Sequence, residues 1–217
     1  MGEIIVLEGI DGVGKTTIAQ KLLEQMKIKG ENCTLRSKKN PQIANEKVKE
    51  YVSMLQEIIW AGDKEDRPWD FLDETQWILQ LTLWYSVLKN EYVIKAAKEY
   101  DYVILDGWSY KMYSRWLLNK KVPLGLVREA YDLMDLPAKV FLIDNDPEVC
   151  WTRRKSFKPT EIASYGEKVI DYRAAFVEYQ GMVRRNLLRL SENKGWLIVD
   201  ARGKNIESTV EEIERKI

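Results

Sequence analysis

The chain has 217 residues, of which 45% are hydrophobic and 31% are charged, a composition ordinary for a globular protein with a large core. Lysine plus arginine equal aspartate plus glutamate at 34 each, so no overall charge draws the protein to nucleic acid or to a membrane surface. The lack of histidine excludes histidine-based acid–base chemistry, and the two cysteines show neither metal-site spacing nor a disulfide framework. No apolar run approaches transmembrane length, and the first is too short for a signal-peptide core, so we expect a cytoplasmic protein.

The most informative stretch, residues 9–17, directly follows an apolar run at 4–7. It fits the pattern G-x-x-x-x-G-K-[ST] between a predicted strand and a helical stripe. Glycines let backbone N–H groups point at phosphate oxygens, Lys15 adds a positive charge, and Thr16 offers a hydroxyl to Mg²⁺. The pattern predicts a site for ATP and Mg²⁺. The residues assigned to it are Gly12, Val13, Gly14, Lys15, Thr16 and Thr17.

Short apolar runs alternate with helical patterns along the rest of the chain. Runs that are apolar throughout, with helices between them, indicate a parallel sheet covered on both faces. We therefore predict a three-layer α/β fold of the P-loop kinase type, with a parallel five-stranded sheet flanked by helices, in a single domain spanning 1–217. The predicted strands lie at 4–7, 33–35, 102–105, 140–143 and 196–199.

Two polar stretches interrupt this alternation. Residues 62–68 end in a proline and predict a loop between two long helices. Residues 153–166 begin with a basic run, which is typical either of a solvated connection or of a lid that brings cations over a transferring phosphoryl group.

Charged residues follow two of the predicted strands. Asp106 closes the third run, and beside a phosphate-binding loop such an acid commonly holds Mg²⁺, although it would also suit a helix N-cap. The turn at 36–40, after the second run, is basic and has no carboxylate. Because a hydroxyl acceptor benefits from a nearby base and a phosphate acceptor needs cations, Arg36 and its neighbours favour a phosphate acceptor. A solvated basic turn is the alternative.

With these residues in place, the chain resembles the thymidylate kinase family of nucleoside monophosphate kinases over nearly its whole length. The resemblance rests first on residues 5–17, which are close to that family's opening. It includes Asp11, and the resemblance implies that this acid reaches the sugar 3′-hydroxyl of the acceptor nucleotide. The family's arginine-containing turn after the second strand falls at Arg36.

The second half of the chain extends the resemblance. Residues 147–154 resemble the helix that leads into the family's lid, and the glycine at position 12 matches the subgroup whose lid supplies catalytic cations. The resemblance therefore implies catalytic roles for Arg153 and Arg154. Residues 199–207 resemble the last strand and the loop that lies against adenine, so Arg202 is expected near ATP.

The departures concern the acceptor side. The family's Asp-Arg-Tyr motif falls at 106–108, where the arginine is Gly107, so the usual cation between the two phosphates is missing. We hypothesise that Lys111, one helical turn onward, points back to the same place.

The positions that contact the base also differ from the family. Leu81 and Tyr85 align with the phenylalanine that stacks on thymine and the arginine that bonds the base, and Arg115 falls near another polar contact to the base. A modified or different pyrimidine would suit such a rebuilt pocket.

The sequence thus predicts a kinase that moves the γ-phosphoryl group of ATP to a nucleoside 5′-monophosphate, with a pyrimidine deoxynucleotide favoured. Two alternatives stay open. One is a kinase of a nucleoside or modified-base hydroxyl, with Asp11 or Glu8 as base. The other is a nucleotide-binding module with little catalysis, suggested by Gly107. No nucleic-acid or membrane partner is expected, and the family's habit of pairing through helices allows a homodimer.

Overall fold

The computed structural model describes residues 1–59, 73–153, 156, 158–163 and 169–217. The predicted loop at 62–68 lies outside these residues. So do Arg154 and several other residues of the segment predicted as a lid.

Five parallel strands form one sheet in the order β2-β3-β1-β4-β5. The α/β fold class and the five parallel strands are confirmed, with bounds within one residue of those predicted. The strands are β1 (Glu3–Glu8), β2 (Cys33–Arg36), β3 (Tyr102–Asp106), β4 (Lys139–Asp144) and β5 (Leu197–Asp200).

Eight α-helices flank this sheet within the described part of the chain. A π-helical segment at Lys89–Ile94 continues the third helix, and a short 3₁₀ turn covers Pro159–Glu161. The α-helices are α1 (Lys15–Ile28), α2 (Glu46–Ile59), α3 (Glu74–Leu88), α4 (Tyr110–Trp116), α5 (Leu124–Met134), α6 (Pro147–Thr152), α7 (Tyr172–Lys194) and α8 (Ile206–Glu214).

The core lies along the middle strands of the sheet. Residues 4–8 of β1 and 140–144 of β4 are buried without alternation, as expected for parallel strands covered on both faces. Helix α1 packs against β1, β2 and β3, whereas α7 packs against β4 and α8 against β5. Because β1 and β3 are parallel neighbours, their carboxyl ends meet at one edge of the sheet. Ligands of such folds bind at this edge.

Local sequence signals account for where several helices begin and end. Asp73 and Gln76 form a reciprocal capping box at the start of α3. The Asp171 side chain accepts a hydrogen bond from the Ala174 N–H at the start of α7, and Gly195 ends that helix in the left-handed conformation.

Helix α3 is apolar on more than its buried side. It buries Ile78 and Trp84 in the core but leaves Leu79 and Leu83 exposed. This outward apolar pair is compatible with the predicted homodimer, which stays a prediction. Among the described helices, none combines the length and apolar character needed to cross a membrane.

The same substitution at two glycines should have opposite effects on stability. Gly195 has φ 67° with open space around its Cα, so Gly195→Ala should lower the free energy of unfolding by ~1 kcal/mol through backbone strain alone. Gly125, inside α5, also has open space but no positive φ, so Gly125→Ala should raise that free energy by about 0.5 kcal/mol. Urea unfolding midpoints measure both effects. Midpoints that shift in the same direction would contradict the left-handed end of α7.

Candidate active site

The predicted phosphate-binding loop is shaped by left-handed glycines between β1 and α1. Gly14 has φ 101° and forms the N-cap of α1, and Gly12 has φ 80°. At Gly9 the loop passes so close to β4 that an added Cβ would lie 2.6 Å from the carbonyl oxygen of Ile143. Only glycine fits this approach, which explains the first fixed position of the pattern.

Lys15 curls back over this loop. Its Nζ donates to the carbonyl oxygens of Gly9 at 2.9 Å and Ile10 at 2.8 Å. Burial, together with the neighbouring charge of Lys111, lowers the pKa of Lys15 to about 8. The ammonium is thus fixed at the loop, and a bound anion would stabilise its charged form.

The two residues predicted to hold Mg²⁺ are in contact. The Thr16 Oγ1 hydroxyl donates to Asp106 Oδ2 at 2.7 Å. Parallel pairing explains why, since Leu7 lies opposite Asp106 and the two strands end side by side. A hydroxyl and a carboxylate oxygen fit Mg²⁺, which usually takes only one or two protein oxygens besides phosphate and water.

Asp11 lies within the loop between β1 and α1 and is buried. Its Oδ1 accepts from Lys111 Nζ, and its Oδ2 accepts from an Arg115 Nη at 2.5 Å. Burial alone would raise the pKa of the Asp11 carboxyl, but the charges of Lys111, Arg115 and Lys15 hold it well below its usual range. Asp11 therefore stays ionised.

Gln180 on α7 holds Asp11 from both its main chain and its side chain. Its Oε1 accepts from the Asp11 N–H at 3.1 Å, and its Nε2 donates to Asp11 Oδ2 at 3.2 Å and to the carbonyl oxygen of Glu161 at 2.8 Å. Gln180 is fully buried. Sequence reasoning missed it, because a glutamine within a long helical pattern gives no signal of such a role.

Glu8, the last residue of β1, is also fully buried. Its Oε1 accepts from the Gly9 N–H at 3.3 Å, and its Oε2 accepts from the Trp108 N–H at 3.0 Å. One carboxylate oxygen thus caps the end of β1 itself, and the other ties it to the residues that follow β3.

Lys38 is the residue of the basic turn that reaches this edge of the sheet. Its Nζ donates to the carbonyl oxygen of Trp108 at 2.8 Å and lies 5.9 Å from the centre of the Tyr85 ring. Burial lowers the pKa of Lys38, whereas the charges of Glu8 and Asp106 oppose that shift. The basic turn at 36–40 was the only sequence signal for Lys38, and that signal could not distinguish Lys38 from the other basic residues of the turn.

Arg36, which the sequence assigned to the acceptor, points elsewhere. Its guanidinium lies over the rings of Tyr92 and Tyr100, at 5.0 Å and 5.7 Å from their centres. Within the described part of the chain, its Nε has no hydrogen-bond partner. The structure does not bring Arg36 together with the other predicted residues, and its role at the acceptor stays a prediction.

Four cationic side chains gather around the end of the loop, and we call them the cation cluster. Their charges interact with one another and with three carboxylates among the described residues, those of Glu8, Asp11 and Asp106. The cation cluster consists of Lys15, Lys38, Lys111 and Arg115. Phosphate groups entering here would meet preorganised positive charge.

The residues predicted for the lid and for ATP binding differ in how closely they approach the loop. An Arg153 Nη donates to the carbonyl oxygen of Val13 at 3.4 Å, so this arginine reaches the loop. Arg202 is half exposed and pairs with Asp200 through two hydrogen bonds of 2.8 Å. The start of α8, which follows the loop after β5, nevertheless lies close to the glycine-rich loop, because a Cβ on Gly14 would lie 3.6 Å from Ile206 Cδ1.

The residues predicted to contact the base are largely inside the core. Leu81 has 2% of its surface exposed and Tyr85 has none. The Tyr85 hydroxyl donates to the carbonyl oxygen of Trp108 at 3.4 Å, and its ring packs edge-on against the Trp108 indole. Arg115 is drawn to Asp11. The base contacts of all three residues stay predictions.

Comparison with known proteins points to the same class of protein as the glycine-rich loop does. No protein-family model matches the chain. Thymidylate kinase of Prochlorococcus marinus (strain MIT 9515) is 23% identical to it over 228 residues, which cover 100% of this chain and 96% of that protein. Thymidylate kinases of Aster yellows witches'-broom phytoplasma (strain AYWB) and Onion yellows phytoplasma (strain OY-M) are 26% and 25% identical over 225 residues, covering 98% of this chain and 95% of each protein. The chain is therefore similar over its full length to thymidylate kinases, at the low identity expected of a divergent member of that family.

Proposed function

We propose that this protein is a nucleoside monophosphate kinase that transfers the γ-phosphoryl group of ATP to a pyrimidine (deoxy)nucleoside 5′-monophosphate. The observation that carries the proposal is the cation cluster at the end of a phosphate-binding loop, beside the Thr16–Asp106 pair. Similarity to thymidylate kinases over the full chain supports the same class of reaction. We treat residues 1–217 as one catalytic domain.

On the donor side, the loop would bind the β- and γ-phosphates of ATP. Backbone N–H groups at the start of α1 and the Lys15 ammonium supply the positive charge. Arg153 reaches the loop from α6 and would add to that charge, as would Arg154 and Arg202 if the family's arrangement holds.

Thr16 and Asp106 would hold Mg²⁺. The ion, when bound, neutralises phosphate charge and orients the γ-phosphoryl group for in-line transfer. The Thr16 hydroxyl, which now donates to Asp106, would have to turn its lone pair toward the metal. Asp106 would then keep the metal at the edge of the sheet shared with the loop.

On the acceptor side, the cation cluster would keep two anionic phosphates together. An oxygen of the acceptor phosphate forms the new bond to the γ-phosphorus while the bond to the bridging oxygen of ATP breaks, and ADP leaves with that electron pair. The four cations of the cluster face three carboxylates, so positive groups outnumber negative ones by one before any metal is counted. Catalysis then rests on preorganised charge rather than on a covalent intermediate.

The state of the carboxylates argues against a hydroxyl acceptor. Such an acceptor needs a base that takes a proton, and Asp11 is a poor base because its pKa lies well below the usual range. Glu8 is fully buried with both oxygens accepting backbone N–H groups. A monophosphate acceptor needs neither residue as a base.

A panel of acceptors tests the proposed function directly. ADP release should be detected with pyrimidine deoxynucleoside monophosphates, including 5-substituted ones, and not with the corresponding nucleosides, because the cation cluster needs a phosphate to act on. Turnover of nucleosides would support the hydroxyl kinase instead. Tight ATP binding without turnover of any acceptor would support the nucleotide-binding module.

Removing the Lys15 charge should abolish most of the turnover. Lys15→Ala should lower kcat by ~10²-fold or more, because the positive charge fixed at the loop is lost. Lys21→Ala is the matched control, since Lys21 lies on the same helix but is exposed and pairs with Glu24. Steady-state ADP release measures both variants, and near-normal kcat for Lys15→Ala would contradict the assignment.

Weakening the metal site should change the Mg²⁺ requirement. Asp106→Asn should shift the Mg²⁺ concentration for half-maximal activity upward by about 10-fold or more, because a neutral amide holds the cation less well than a carboxylate. Chelation of Mg²⁺ should stop the wild-type reaction completely. Asp101→Asn, at the amino end of β3, serves as the control for loss of one carboxylate. An unchanged Mg²⁺ titration for Asp106→Asn would remove this residue from the metal site.

A further inference from the structure

Gly107 leaves a space at the carboxyl end of β3, and another residue fills it. Gly107 has φ 71°, and a Cβ built on it would lie 3.1 Å from Lys38 Nζ and 3.8 Å from Glu8 Oε1. The Lys38 ammonium therefore occupies the volume into which any side chain at position 107 would extend. The charge that a glycine cannot supply arrives from the turn after β2.

The surroundings of Lys38 join the two sides of the site. Its charge interacts most strongly with Glu8 at the end of β1, then with Asp106 on the metal side and with Asp11 and Arg115 on the acceptor side. Among the described residues, its ammonium has one hydrogen-bond acceptor, the carbonyl oxygen of Trp108. An ammonium group carries three donors, so two of its N–H groups have no acceptor within the described part of the chain and can turn to an incoming anion.

The other lysines of the cation cluster are more fully engaged. Lys15 Nζ donates to two carbonyl oxygens of the loop, and Lys111 Nζ donates to the Asp11 carboxylate. Lys111 would have to break its ion pair with Asp11 before its ammonium could move to the space beside Gly107. Lys38 already lies there.

We infer that Lys38 is a further catalytic residue, whose ammonium contacts the phosphate groups between donor and acceptor and stabilises the transferring phosphoryl group. The inference rests on the proposed function and deepens it. As the acceptor oxygen bonds to the γ-phosphorus and the bridging oxygen departs with ADP, Lys38 donates N–H bonds to phosphate oxygens and keeps its proton throughout. Lys111, held by Asp11, is then assigned to the acceptor nucleotide rather than to the transfer itself.

The test compares charge-removing variants with a wild type shown to be active on a monophosphate. Lys38→Met should lower kcat by ~10²-fold or more with little change in the Kd for ATP, because the charge acts mainly in the transition state. Lys49→Met is the matched control, since Lys49 is exposed on α2 and pairs only loosely with Glu46. Lys111→Met should raise KM for the acceptor more than it lowers kcat.

Lys38→Gln separates catalysis from a merely structural role. Glutamine can still donate to the Trp108 carbonyl but carries no charge. The kcat of Lys38→Gln should therefore be lowered about as much as that of Lys38→Met. It also keeps the test valid if circular dichroism shows that Lys38→Met does not fold. Lys38→Arg, which keeps the charge, should retain more of kcat than either variant.

Each outcome decides a different point. If the wild type is active and Lys38→Gln keeps its kcat, the inference is overturned and the proposed function stands. If the wild type turns over no monophosphate, the proposed function is overturned and the inference falls with it. A loss of kcat in Lys38→Gln, with ATP affinity and folding retained, supports both.

Discussion

The candidate site depends on holding several cations close together in a partly buried space, and the Asp11 carboxylate is the counter-charge that allows this. Unpaired charges buried beside one another would repel strongly, since little water is present to screen them. Asp11 pairs with both Lys111 and Arg115, and Gln180 fixes its position through two hydrogen bonds. The positive charge is therefore in place before any anion arrives, so the proposed transfer would need little reorganisation of the site.

Much of the fold and the donor side could be predicted from sequence because their signals are local. Apolar runs located the strands within one residue, and the glycine pattern located the loop that joins β1 to α1. The contact between Thr16 and Asp106 also follows from sequence, once β1 and β3 are taken as parallel neighbours ending at the same edge. In each case the information lies within a few residues or in the rule that parallel strands end together.

The acceptor side could not be predicted to the same depth, because it depends on which way individual side chains turn. Arg36 and Lys38 are both basic and two residues apart, yet one lies over tyrosine rings and the other enters the site. Gln180 lies 169 residues from Asp11 in sequence, and no pattern links them. We hypothesise from sequence that Lys111 replaces the missing arginine, and in the structure its ammonium pairs with Asp11. That pairing joins residues 100 positions apart, so no local pattern predicts it.

Trp108 contacts the candidate site through its main chain and the core through its side chain. Its amide N–H binds Glu8 and its carbonyl binds Lys38, while the indole is anchored away from these contacts, on the carbonyl oxygen of Met134 at 2.7 Å. The groups that face the candidate site are peptide groups, which every residue type except proline provides in full. The indole is buried, packs edge-on against Tyr85 and is hydrogen-bonded, so core packing dictates the residue type at this position, and a smaller side chain would loosen the frame that holds Glu8 and Lys38.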